Sequence, residues 1–408
     1  MRRAALVLIA ILIPCGSAGA AEPGWTQRAL ALQYELAGDL DLRNAPWVGT
    51  HNSFNSVAEM GQTLSTFDSN QQIPIVDQLE QGIRSIELDL HWFPSASGGG
   101  FAPVVCHARG EEEGHLGCTA EKEFGVVLGD VAGWLRAHPG EVLLLYIEDD
   151  LGSQGHDTAA ARLSEKLGDL IYLPAAGAQG CAPLPMTLTR NAVRAAGKQV
   201  IAVSGCGKGT AWPGLIFDWS YREEERPRGY RDFPDCDPTI PRATYDAKLI
   251  RYYEDSTQLT ATVGSPDEGI SLETAGRLAR CGVDLTGFDQ LLHDDPRLQG
   301  MVWSWSPDQP AEGRCAIQSA DGRWRVLPCR RRRRVACRAA DGSWAVSKRK
   351  VRAGRARRLC SRRSKVHAVP RTGYEGQLLR AAMTLRGARA VWLGYRRGPS
   401  GWAPLDHR

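Results

Sequence analysis

The sequence predicts an α/β fold: an irregular TIM (β/α)8 barrel followed by a small, mainly β, disulfide-bearing C-terminal module. Three observations predict it. Eight short apolar segments of strand length alternate with links of mostly helical character. Several of these segments end in polar residues able to do chemistry. After Pro310 the helical periodicity gives way to alternating polar and apolar residues with Trp and Cys.

In chain order, residues 1–20 have the form of a signal peptide. Arg2 and Arg3 precede an apolar run from Ala4 to Ile13, and small residues end at Ala20. The run is too short to span a bilayer. Cleavage after Ala20 and export, to the periplasm or beyond the cell, are expected. The barrel is expected over 21–311 and the C-terminal module over 312–408. RALALQYELAGDL predicts a helix capping the barrel. Strand one is Trp47 to Thr50. A helix over Ile75 to Gln81 stops at Gly82. Strand two is Ser85 to His91 and strand three Val104 to His107. The link between them, FPSASGGGFA, is too short and Gly-rich for a crossover helix, which makes the barrel irregular. FGVVLGDVAGWLRAHPG predicts an amphipathic helix. EVLLLYIEDD is strand four, its apolar run that of a strand buried on both faces. Strands five to eight are placed at Gln199–Gly205, Gly214–Ser220, Val283–Asp289 and Met301–Ser306. Helices are placed at Asp157–Leu170, Tyr245–Thr257 and Ser271–Cys281, and an irregular insertion at 221–243.

The net charge is +4. Between Arg323 and Lys365, 18 Lys and Arg face one acid, Asp341, a net +17 that leaves −13 on the remainder. A cluster this dense, with RRRRR at its centre, is expected to meet polyanions, an anionic membrane surface first. No nucleic-acid partner is expected, because no base-reading motif accompanies it. A monomer is expected. Ten cysteines remain after the signal segment, an even number that suggests disulfides in an exported chain. Cys106 and Cys118 could close a loop beside His107, and Cys315, Cys329, Cys337 and Cys360 cluster in the tail.

Glu87 and Asp89, two apart on a strand, share one face. Side by side they repel unless a cation sits between them or one takes up a proton. His51 and His107, at the ends of strands one and three, can move protons. Glu148 ends strand four. His91, His115 and His156 read as solvated loop residues.

The triple GTHNSFN, SIELD and VCH resembles, in order and spacing, the X-region of phosphatidylinositol-specific phospholipase C among the phospholipase-C-like phosphodiesterases. The resemblance covers roughly the first two-thirds of the mature chain. It implies an imperfect TIM barrel and a phosphodiester lipid substrate, phosphoinositide first. It implies Asn52, Glu87, Asp89 and Glu148 as calcium ligands, since Asn52 stands where metal-free members carry an Asp after the first histidine. His51 would stabilise charge on the phosphate and His107 would protonate the leaving oxygen. The inositol 2-hydroxyl would be the nucleophile, giving a cyclic phosphate. The carboxylate that takes the hydroxyl proton stays open between Glu87 and Glu148. A glycerophosphodiesterase or sphingomyelinase-D-like enzyme is the nearest alternative, although GTHNSFN lacks the HRG opening of the former. A binding protein, a dead barrel with a lectin-like or polyanion-binding tail, is the alternative from another class. In the tail, CAIQSADGRWRVLPCRRRRRVACR and VPRTGYEGQLLRAAM resemble the closing and opening halves of a C-type lectin-like domain, in reversed order and without a clear calcium-sugar motif.

Overall fold

The computed structural model describes residues 23–60, 67–119, 122–152, 154–175, 181–206, 212–219, 249–264 and 269–405. The expected signal peptide and the insertion at 221–243 lie outside the described residues. The strands are β1 (Trp47–Thr50), β2 (Ser85–Pro94), β3 (Phe101–Val105), β4 (Leu143–Asp150), β5 (Val200–Ser204), β6 (Phe217–Asp218), β7 (Arg251–Tyr253) and β8 (Leu285–Phe288). Seven of them form a parallel sheet in the order β6-β5-β4-β2-β1-β8-β7, and β3 pairs antiparallel with β2. Helices Trp25–Leu36, Ile75–Glu80, Phe124–Ala137, His156–Leu167 and Leu272–Cys281 lie at or near their expected places.

Period-two alternation sorts the side chains. Val48, Ile86, Leu88, Leu90, Leu143, Leu145, Ile147 and Ala202 pack outward against the helices. Trp47, Leu144, Ile201, Val203, Phe217 and Leu285 fill the inside, with Tyr146, Trp219 and Tyr253 packed against them. Each fully buried aliphatic side chain contributes roughly 1.5–3 kcal/mol. The strands are therefore apolar on both faces until the rows run out at their C-terminal ends.

Three expectations need correction. Strand three does not run parallel to its neighbours. The hairpin turn, with Ser95 N–H donating to Gly100 O at 2.9 Å, sends β3 back along β2 with Leu90 opposite Val105. Of the expected helix Tyr245–Thr257, residues 245–248 lie outside the described residues, and the rest holds β7, followed by a helix from Gln258 that Thr257 caps. The open edge of β8 decides this: Asp284 N–H donates to Ile250 O at 2.8 Å and Glu254 N–H to Gly287 O at 2.9 Å. Met301–Ser306, expected as an eighth barrel strand, ends the helix Arg297–Met301 and then leaves the barrel. The side-chain oxygen of Gln33, on the first helix, accepts from Trp303 N–H at 2.9 Å and Ser304 N–H at 3.1 Å. Trp305 then bridges to Trp324 in the C-terminal sheet.

That second sheet has β9 (Cys315–Ser319), β10 (Trp324–Leu327), β11 (Arg334–Arg338), β12 (Trp344–Val346), β13 (Val366–His367), β14 (Ala390–Gly398) and β15 (Gly401–Pro404). Its order is β10-β9-β14-β11-β12, with β13 on β11 and β15 on β14. Disulfides Cys315–Cys329 and Cys337–Cys360 tie strands of this sheet to the segments beside it, and Cys106–Cys118 and Cys181–Cys206 lie in the barrel. The helix Gly373–Leu385 packs on the barrel helix Leu272–Cys281. Among the described residues no helix is long and apolar enough to cross a membrane.

Candidate active site

Where the inner apolar rows end, the register assembles a charged cluster. Parallel pairing sets Ser85 opposite Leu144 and Asp89 opposite Glu148, so these two acids are neighbours and Glu87 lies one step further in. One oxygen from each of Glu87, Asp89 and Glu148 lies within 4.8 Å of the others. Glu87 and Asp89 are buried, and Glu148 is at the mouth. Burial first, and then the negative charges of neighbouring acids, raise all three carboxyls above their ordinary values, while the charge of His51 opposes the shift.

The turn after β1 is locked onto β2. Ser53 N–H donates to Glu87 O at 3.1 Å, and Glu87 N–H donates to Ser53 Oγ at 2.9 Å. Asn52 takes a positive φ of 41°, and its backbone N–H acts on the Glu87 carboxyl in the direction that lowers it, against burial. Its side-chain nitrogen donates to Asn70 Oδ1 at 3.2 Å. Its side-chain oxygen then faces Asp89 Oδ2 at 2.7 Å, oxygen against oxygen. Turning the amide over gives Asp89 a donor but sets the amide oxygen against Asn70 Oδ1. Asn70 Oδ1 already accepts from Asn55 at 2.9 Å. Among the described residues Glu87 Oε2, buried, has no hydrogen-bond partner. A hard cation among Asn52, Glu87, Asp89 and Glu148 would satisfy both the facing oxygens and the orphan oxygen. The donor set fits such an ion.

His51 follows β1, with its Nδ1 3.2 Å from Asp289 Oδ2. Burial by itself would lower the imidazole. The hydrogen bond and charge of Asp289, with the charges of Glu87 and Asp89, overcome it and hold His51 up to about 10. Asp289 is buried and its Oδ2 also accepts from Ser256 N–H at 2.7 Å. Tyr253 stacks on His51 with ring centroids 5.7 Å apart. Arg251 lies over the Trp219 ring at 5.0 Å, and its charge acts on Glu87 and Glu148.

His107 reaches the site by a different route. The return of β3 ends at Val105, and Cys106 N–H donates to Asp89 O at 3.3 Å. His107 Nδ1 is then 2.9 Å from Asp68 Oδ2, and about a third of its side chain is exposed. The charges of His51 and His107 both act on Glu148, so both histidines lie near the acids. The structure thus brings together His51, Asn52, Glu87, Asp89, His107 and Glu148.

Sequence reasoning missed Asp289, Asp68, Arg251 and Tyr253. Only Asp289 had a visible signal, as the polar end of the seventh apolar segment. Two other readings are corrected. His91 is buried on β2, its Nδ1 2.9 Å from Nδ1 of His115, because its strand runs to Pro94. His156 is buried against Asp149 at 2.9 Å.

In the tail, Arg330–Arg332, Lys348–Lys350, Arg352, Arg355, Arg357, Arg358, Arg362 and Arg363 are exposed. A bridge between Arg333 and Val351 brings the first group beside the second. Arg325 pairs with Asp321 and Arg338 with Glu375, both acids of the same C-terminal segment.

Comparison with known proteins agrees along most of the chain. The model of the Rv2075c PI-PLC-like domain matches residues 9–295. The uncharacterized protein Rv2075c of Mycobacterium tuberculosis is 38% identical over 392 residues, covering 91% of this chain and 80% of its own. A PI-PLC X domain-containing protein of Arabidopsis thaliana is 27% identical over 139 residues, 33% of this chain and 30% of its own. Among solved structures, the phosphatidylinositol-specific phospholipase C of Listeria monocytogenes aligns over 67% of this chain and 97% of that one. Its identity is 15% and its TM-score 0.41. A calcium-dependent phosphoinositol-specific phospholipase C from Pseudomonas sp. aligns over 45% and 67%, at 16% identity and a TM-score of 0.31. With a family model matching residues 9–295 and a 38%-identical relative matched over 91% of this chain, the chain belongs to the Rv2075c PI-PLC-like domain family.

Proposed function

We propose that this chain is an exported, calcium-dependent phosphoric diester hydrolase of the phosphatidylinositol phospholipase C type. One observation carries the reading: three carboxylates with an orphan buried oxygen and two histidines near them, at the C-terminal mouth of a parallel barrel-like sheet. Calcium, held by Asn52, Glu87, Asp89 and Glu148, would neutralise charge on the phosphate oxygens when bound. His51, kept protonated by Asp289, donates to a phosphate oxygen and stays charged as the phosphorus gains electron density. The inositol 2-hydroxyl attacks phosphorus and gives its proton to Glu87 or Glu148. As the bond to the leaving diacylglycerol oxygen breaks, His107 supplies the proton that makes it an alcohol. His107's contact with Asp68 orients the ring for that transfer.

We take the chain as a signal segment over 1–20, a barrel unit over 21–311 and a basic module over 312–408, acting as a monomer. Disulfides in both units support export. The exposed arginines and lysines within Arg323–Lys365 would hold the enzyme on an anionic membrane, where its lipid substrate lies.

The test is a panel of phosphodiesters assayed with calcium or with excess EGTA. The expected result is a cyclic inositol phosphate from phosphatidylinositol, formed only with calcium. Full turnover in EGTA removes the metal. Turnover of glycerophosphodiesters or sphingomyelin in place of phosphatidylinositol moves the assignment to the alternative enzymes. No turnover of any ester leaves the binding-protein reading.

A further inference from the structure

We propose that the disulfide-closed loop from Cys106 to Cys118 is the device that positions His107, with Gly117 and His115 as positioning residues. Only the activity readout of this inference rests on the proposed phosphodiester chemistry. The sheet does not hold His107, because β3 ends at Val105. Cys106 is buried, donates its N–H to Asp89 O, and is bonded through sulfur to Cys118 at the far end of the loop. Between them the chain doubles back. Arg109 N–H donates to Leu116 O at 2.9 Å and Cys118 N–H to His115 O at 3.0 Å.

Gly117 bears on His107 itself. A Cβ at Gly117 would stand 2.6 Å from the His107 carbonyl oxygen and 2.9 Å from Ala108 Cα. Its φ of +124° is also one that side chains avoid. His115 takes φ of +54°, uncommon for a residue with a Cβ, and this aims its Nδ1 at Nδ1 of His91. One ring donates and the other accepts. His91 is buried on β2, two residues beyond Asp89. The loop is therefore anchored twice to the strand that carries Glu87 and Asp89, and closed once by a covalent bond. Its conformational freedom is spent before substrate arrives, so the imidazole is preorganised against the carboxylate cluster.

The experiment compares Gly117→Ala, His115→Asn and the pair Cys106→Ala/Cys118→Ala with the wild type and His107→Ala, each checked for folding by thermal denaturation. Two substrates are used: phosphatidylinositol, with a poor leaving group, and an inositol phosphate ester of p-nitrophenol, whose leaving group needs no acid. Gly117→Ala should lower kcat on phosphatidylinositol by about 10–100-fold with KM unchanged. The aryl ester should stay within about 3-fold, and no further loss should appear in the His107→Ala background. Equal losses on both esters, or losses that add to His107→Ala, overturn the proposal. Long-range 1H–15N spectra of the imidazoles give a readout without catalysis. The ring signals of His107 should move or broaden in Gly117→Ala and in the cysteine pair, while those of His51 stay. Unmoved His107 signals overturn the proposal. If the wild type cleaves neither ester the functional reading falls, and the spectra still decide the loop.

Discussion

Gly287 of β8 lies level with Gly49 of β1 and Tyr253 of β7. A Cβ at Gly287 would stand 1.8 Å from Tyr253 Cδ1 and 2.3 Å from its Cε1. Carbon atoms in ordinary contact are about 3.5–4.0 Å apart, so in Gly287→Ala the ring must retreat by roughly 2 Å. It has little room to do so. It stacks on His51 at 5.7 Å with an interplanar angle of 26°, and Arg251 lies 5.9 Å from its centroid. Overpacking of this kind costs about 1–3 kcal/mol, and the displaced ring disturbs the histidine it supports. Thermal unfolding should show a loss in that range, and turnover should fall with it. Removing the ring should relieve the clash, so Gly287→Ala/Tyr253→Ala should be more stable than the sum of the single losses predicts, by about 0.5–3 kcal/mol. Wild-type unfolding and turnover in Gly287→Ala, or strict additivity in the pair, would refute the packing argument.

Three further outcomes are expected. Calcium at 100-fold over its Kd should stabilise the wild type by about 2.7 kcal/mol, seen as a rise in Tm, and should not do so in Glu87→Gln; a Tm indifferent to calcium in both proteins argues against the ligand set. Reversing charge at Arg330, Arg331 and Arg332 to Glu should weaken binding to phosphatidylserine vesicles by about 1 kcal/mol or more per residue that faces the lipid, most clearly at low salt. Unchanged binding would leave these arginines no membrane role. Arg84 Nε meets Glu141 Oε2 at 2.8 Å, and although burial raises this carboxyl, the bond and charge of Arg84 outweigh it and leave it below its ordinary value. With a folded value below the unfolded one, the pair contributes stability above about pH 4.3 that is lost as pH falls through the folded value. Glu141→Gln should therefore unfold earlier than wild type at pH 7 and match it in strong acid. A gap that persists in acid would mean the effect is packing and not charge.

Charge reversal is the right perturbation for the tail, because deletion would strip the barrel of its own packing. Trp303 and Trp305 meet Trp324 edge-on at 5.5 and 5.7 Å, and Trp305 meets Trp402 at 5.0 Å. Gly373 packs so closely on the helix Leu272–Cys281 that a Cβ there would stand 2.3 Å from Ala279 O.

The sequence by itself determined what each strand can offer. Strand one matched at both ends, because WVGT is apolar and bounded by Pro46 and by the polar turn at His51. Glu87 and Asp89 had to share a face, since the backbone alternates side chains with period two. Tertiary structure alone decided who meets whom. Asp89 stands beside Glu148 because hydrogen-bond register, not pattern, pairs β2 with β4. Asp289 reaches His51 across 238 residues, a separation no local pattern encodes. MVWSWS alternates as a strand should, yet Gln33 and Trp324 take up its backbone before the barrel can. His107 arrives on an antiparallel return that the glycine-rich link permits but does not specify. Periodicity is a property of neighbours along the chain, whereas register and competition for backbone hydrogen bonds are settled between segments far apart in it.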